Sequence, residues 1–87
     1  MKTYTIKITA RDGQDSINTL LTNTSNGHSI EERWTREGNE WIWQDGWTTD
    51  GSNQPGLYAV LNESVEKTDY LLNALVLNRA EQINFNV

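Results

Sequence analysis

Residues 3–9, TYTIKIT, alternate strictly, with Tyr4, Ile6 and Ile8 on one side and Thr3, Thr5, Lys7 and Thr9 on the other. A period of two predicts a half-buried strand, and RDGQD then interrupts it. In DSINTLLTN, Ile17, Leu20 and Leu21 fall at i, i+3 and i+4. That spacing predicts a short helix capped by Asp15 or Ser16 and ended by the Asn26-Gly27 turn.

The next segment, RWTREGNEWIWQDGW, holds all four tryptophans of the chain in residues 33–47. Gly38-Asn39 predicts a two-residue hairpin loop, and glycine at its first position suits a type II′ turn. The resulting register sets Glu37 against Glu40, Arg36 against Trp41, Trp34 against Trp43, Glu32 against Asp45 and Ile30 against Trp47. All four tryptophans and Ile30 then share one face. Glu31, Arg33, Thr35, Glu37, Glu40, Ile42 and Gln44 share the other. A slip of one residue would part Trp34 from its three companions, so the hydrophobic pattern supports this pairing. Two carboxylate pairs placed directly opposite each other count against it.

TTDGSNQPGL reads as a loop, with Pro55-Gly56 set for a type II turn. LYAVL is either a short strand or the approach to a helix. From NESVEKTDYLLNALVLNRAEQ a helix is predicted over about 64–79, with Val65, Thr68, Leu72, Leu75 and Val76 as its buried stripe and Ser64 or Asn62 as its cap. Its final ALVL also fits a strand. EQINFNV closes the chain as a strand, with Ile83, Phe85 and Val87 alternating against Asn84 and Asn86.

Strand, helix, strand, strand, helix, strand is an order that resembles the ferredoxin-like split βαβ sandwich, an α+β fold. It implies one domain over residues 1–87, with two helices on one face of a four-stranded antiparallel sheet and the first and third strands central. Beneath two short helices, Trp34 and Trp43 are expected in the core, and Trp41 and Trp47 at its rims. Arg36, opposite Trp41, is placed for a cation–π contact.

Composition narrows the function. Seven basic and twelve acidic residues give a net charge of −5, which opposes binding to nucleic-acid phosphates or anionic membranes. The absence of cysteine removes disulfides, thiolate metal sites and thiol nucleophiles, and favours a cytoplasmic setting. The N-terminal alternation contains no continuous apolar run, so neither a signal peptide nor a membrane span is expected. His28 is the sole histidine and sits in a turn, where an ordinary loop role outweighs catalysis. No phosphate-cradling, dinucleotide-binding, nucleophile-elbow or zinc-protease motif occurs. DGQDS and DGWTTDGSN lack the oxygen spacing of a calcium loop. No catalytic residue, cofactor or metal is therefore expected.

Two activities hosted by this architecture are disfavoured by these residues. An RNA-recognition sheet needs aromatics on its open face, where this register puts mostly polar groups. A phosphatase cradle in ARDGQDS would set Asp12 and Asp15 against the phosphate.

Surface remains. Glu63, Glu66 and Asp69 recur along one edge of the second helix, where carboxylates also favour the helix dipole and Glu63 can pair with Lys67. With Glu31, Glu32, Glu37 and Glu40 they frame the rim tryptophans in acid. The partner-binding residues expected from this pattern are Trp41, Trp47, Arg36, Glu37, Glu40, Glu63, Glu66 and Asp69. They suit a protein partner with a basic surface, with acid steering the encounter and aromatics supplying affinity. The expected function is a small non-enzymatic inhibitor or regulator, monomeric or homodimeric, of a larger nucleic-acid-handling protein. Its general profile resembles phage and mobile-element anti-defence proteins such as anti-CRISPRs. The alternatives are a small enzyme or ligand-binding protein using the loop carboxylates, or an accessory subunit that dimerises through its sheet.

Overall fold

The computed structural model describes residues 2–77 and 82–87. Strands β1 (Thr3–Arg11), β2 (Ser16–Asn23), β3 (Ser29–Glu37) and β4 (Glu40–Trp47) form an antiparallel meander. The chain then crosses one face of the sheet through helices α1 (Leu57–Val60) and α2 (Val65–Leu77). It returns as β5 (Gln82–Asn86), antiparallel to β1, giving the order β4-β3-β2-β1-β5. The ferredoxin-like layout is therefore overturned. Among the described residues the sheet has five strands rather than four, β2 lies at its centre, and both helices follow β4. The α1 and α2 pair lies on one sheet face, but α1 is not one of the two helices expected, since the first of those is strand β2.

The difference lies in DSINTLLTN, which forms β2 rather than a helix. Ile17 and Leu21 are four apart and share a face under either period, so the decision falls to the residues between them. Thr19 is fully buried between them, and Asn18, Leu20 and Thr22 alternate on the other side. The Thr19 hydroxyl accepts a hydrogen bond from Trp34 Nε1 at 3.1 Å, which supplies a polar partner that a helix would not place there. Isoleucine, threonine and asparagine are also weak helix formers. Asp15 and Ser16 consequently cap nothing. Asp15 accepts hydrogen bonds from Arg36 Nε and Nη2 at 3.2 and 3.0 Å, and Ser16 begins the strand.

The β3–β4 hairpin turns at Gly38-Asn39 as expected. Gly38 has φ +63 and Asn39 keeps negative φ, the signature of a II′ turn. Pairing from Glu37–Glu40 to Trp34–Trp43 also follows the expected register. Beyond it the register shifts by one, so that Arg33 opposes Asp45, Glu32 opposes Gly46 and Glu31 opposes Trp47. Gln44 is the extra residue, and Trp47 moves to the opposite face from Trp34, Trp41 and Trp43. The shift removes the unfavourable Glu32–Asp45 confrontation. Arg33 takes its place beside Asp45, with Nη1 at 3.7 Å, and its guanidinium lies 5.7 Å from the Trp47 ring centroid.

Tyr4, Ile6, Ile17, Leu21 and Trp34 from the sheet pack against Leu57, Leu61, Leu72, Leu75 and Val76. Tyr4 also stacks on Phe85, at 5.7 Å between ring centroids. On α2, Thr68, Leu72, Leu75 and Val76 are buried as expected, but Val65 is exposed. Ser64 Oγ accepts the Lys67 N–H at 3.1 Å and is the cap. Within 57–61, Leu57–Val60 form α1 rather than a strand and Leu61 is its C-cap, and ALVL ends α2. The expected last two residues of that helix, 78 and 79, lie outside the described residues. Pro55-Gly56 forms no type II turn. Gly56 has φ −75 and stands immediately ahead of α1. No helix of the described residues is long and apolar enough to cross a membrane.

Candidate functional site: an acid-floored aromatic groove

The tryptophans divide differently from their expected roles. Trp34 is buried, as expected. Trp41, expected at the rim, is also buried at 6% exposure, while Trp43, expected in the core, is 52% exposed. Two contacts account for the exchange. Helix α2 runs beside the start of β4, where Asp69 Oδ1 accepts the Trp41 backbone N–H at 2.9 Å, and Asn73 Oδ1 accepts Trp41 Nε1 at 2.9 Å. Arg36 closes the other side of that indole, with its guanidinium 5.4 Å from the ring centroid. Helix α2 does not reach Trp43, whose ring stands as an open wall.

Between this wall, α1 and the start of α2 lies a groove of about 500 Å³. Ile30, Trp34, Trp41, Trp43, Tyr58, Ala59 and Val65 give it an apolar lining, and Glu32 and Asp69 bring carboxylates to it. No Lys, Arg or His lines it among the described residues. The size falls within the roughly 300–1,000 Å³ range of small-ligand pockets.

Glu32 is the unusual component. Its parity with Ile30 and Trp34 puts it on the helix-covered face, where it is only 3% exposed. Oε1 accepts the Leu57 N–H at 2.9 Å and Oε2 accepts Trp43 Nε1 at 3.0 Å. Gly56 offers no side-chain cap to α1, so a carboxylate from the sheet takes that place. The approach is close: a Cβ at Gly56 would lie 2.5 Å from Glu32 Oε2, which explains a glycine at a position whose φ any residue can adopt. Burial pushes the Glu32 carboxyl above its ordinary pKa, against the opposing pull of the Leu57 and Trp43 hydrogen bonds.

The expected partner-binding residues do not form one surface. Trp41 and Asp69 belong to the groove, and Glu66 lies in the first turn of α2 near its rim. Glu37 and Glu40 face each other at the hairpin tip, both exposed, beside Arg36. Glu63 precedes α2 in a left-handed conformation, φ +61, next to Asn62 at φ +62. It makes no ion pair with Lys67. Trp47 lies on the opposite sheet face, together with Glu31, Arg33 and Ile42. The groove residues outside that expected set include Trp43, Tyr58 and Val65, together with Glu32, which was expected only as part of the acidic frame. Parity did signal Glu32, since any strand that buries Ile30 and Trp34 buries the residue between them.

The loop carboxylates are separated. Asp15 pairs with Arg36 and Asp45 with Arg33, while Asp50 Oδ2 lies 2.9 Å from His28 Nδ1. Asp50 has its pKa lowered, chiefly by the Ser52 backbone N–H and then by His28. No group of three or more metal-ligating side chains occurs among the described residues. No protein-family model matches the chain, and no curated protein or solved structure shows significant similarity to it.

Proposed function

We propose that this protein is a small acidic binding module that docks on the basic surface of a larger protein and inhibits or regulates it by occupancy rather than by catalysis. The groove carries this reading. It combines exposed aromatic surface at Trp43 and Tyr58 with carboxylates as the only charged lining among the described residues, on a chain of net charge −5. Partly exposed aromatics are the side chains that most often anchor protein interfaces, and surrounding acid accelerates encounter with a basic partner. Glu40 and Glu66 extend the negative field to either side.

A partner that handles nucleic acid fits the charge, since its basic groove is built for phosphates. This is the mode of action of a phage or mobile-element anti-defence protein of the anti-CRISPR kind. The cysteine-free composition supports a cytoplasmic setting, and a monomer or homodimer suits such a role.

Affinity capture of the tagged protein from its native cell lysate, after nuclease treatment and at low and high salt, tests the proposal. One stoichiometric partner should be retained at low salt and released at high salt. The double variant Glu40→Lys/Glu66→Lys should retain markedly less of it, because both side chains are exposed and contribute charge alone. Capture of nothing beyond the protein itself would overturn the reading, as would undiminished capture by the charge-reversed variant.

A further inference from the structure

From the groove's chemistry we infer that it is a receptor for a single lysine side chain projecting from the partner protein, an inference that rests on the binding-module reading. Trp43, Tyr58 and Val65 offer apolar surface along which four methylenes can lie. Trp43, half exposed, offers an indole face, the best aromatic surface for a cation. Asp69 brings a carboxylate to the lining, Glu32 adds a buried carboxyl group, and no cation among the described lining residues neutralises them. An ammonium group in the groove also stabilises Glu32 as a carboxylate, offsetting the burial that otherwise favours its protonated form.

The hydrogen bonds already in place select lysine over arginine. Asp69 commits Oδ1 to the Trp41 amide, and Glu32 commits one oxygen to Leu57 and the other to Trp43. Neither carboxylate presents two free oxygens to the planar fork of a guanidinium, whose advantage depends on bidentate pairing. A compact ammonium needs only one free lone pair from each.

The test uses three capped amino acids: the Nα-acetyl, N-methylamide forms of lysine, arginine and norleucine. The indole N–H resonances of Trp41 and Trp43 are followed by NMR at neutral pH. The lysine compound should shift both resonances with a dissociation constant on the order of millimolar, as befits a ligand of its size. Arginine and norleucine should each bind about tenfold more weakly, the loss expected for one charge-assisted contact. Asp69→Asn keeps an acceptor for the Trp41 amide and removes the charge, so it should weaken lysine binding by a similar factor and leave norleucine unaffected.

Equal binding of norleucine would show a merely apolar anchor site, and tighter binding of arginine would show a guanidinium site. Either outcome overturns the lysine assignment, and so does the absence of any shift. The wider reading is judged separately, by partner capture with the charge-reversed variant.

Discussion

The two ends of this sheet solve the same packing problem differently. At the β2–β1–β5 end, Ile6, Ile17 and Leu21 join Leu72 and Leu75 in an aliphatic layer flanked by the stacked Tyr4–Phe85 pair. At the β3–β4 end the inner face carries Trp34, Trp41, Trp43 and a nearly fully buried carboxylate, and α2 covers only the first part of it. Aliphatic side chains of modest size fill the space beneath a helix. Indoles extend beyond it and leave a groove. One end is scaffold, and the other pairs scaffold with an open surface.

Trp41 and Trp43 provide the sharpest break of this comparison, because they lie two residues apart on one strand face. Trp41→Ala should cost about 3–5 kcal/mol, the loss typical of a buried aromatic. Trp43→Ala should cost about 1–2 kcal/mol, mainly the hydrogen bond to Glu32. Chemical denaturation of both variants checks the order, and equal costs would mean that Trp43 is as buried as its neighbour.

Gly56→Ala should destabilise by about 1–3 kcal/mol, because a methyl group must displace the Glu32 carboxyl and break its bond to Leu57. The same change at exposed Gly51, where φ is +71 and no neighbour lies nearby, serves as a control for backbone strain without that clash.

These contrasts also show what the amino-acid pattern revealed. Strict alternation at residues 3–9, the Gly38-Asn39 turn and the α2 stripe each rest on a local rule, and each was legible. Residues 16–23 were not, because Ile17 and Leu21 satisfy both periods and Thr19 is buried only by virtue of a distant indole. The exchange of Trp41 and Trp43 escaped for a related reason. Strand parity assigns a face, but where α2 ends its cover depends on Asp69 and Asn73 reaching β4. The register shift beyond Trp34 hid the true face of Trp47. Its clue was present in the unfavourable opposition of Glu32 and Asp45.

A smaller effect concerns pH. Burial raises the pKa of Glu32, so the folded protein favours its protonated form relative to the unfolded chain. That contribution is fully present below the ordinary value of 4.5 and is lost as pH rises through the folded-state pKa. Glu32→Gln cannot titrate. The stability of the parent protein relative to Glu32→Gln should therefore decline as pH rises from about 4 toward neutrality. Urea unfolding of both proteins across that range measures it, and a difference that stays flat or grows with pH would contradict the assignment.

The smallest effect lies between the helices. Glu63 holds a left-handed backbone, φ +61, that costs an L-residue energy. Glu63→Gly should stabilise by about 0.5 kcal/mol, after the greater freedom of glycine in the unfolded chain is offset. A lower denaturation midpoint would mean that the Glu63 side chain contributes more than its backbone costs.

The central claim, that the groove face is the binding face, is tested most directly by the two exposed tryptophans on opposite sides of the sheet. Trp43→Ala and Trp47→Ala, each confirmed folded by a cooperative unfolding transition well above the assay temperature, are compared with the parent for partner retention. The groove account predicts that Trp43→Ala loses the partner and Trp47→Ala keeps it. Retention by Trp43→Ala with loss by Trp47→Ala would contradict it and assign binding to the opposite face.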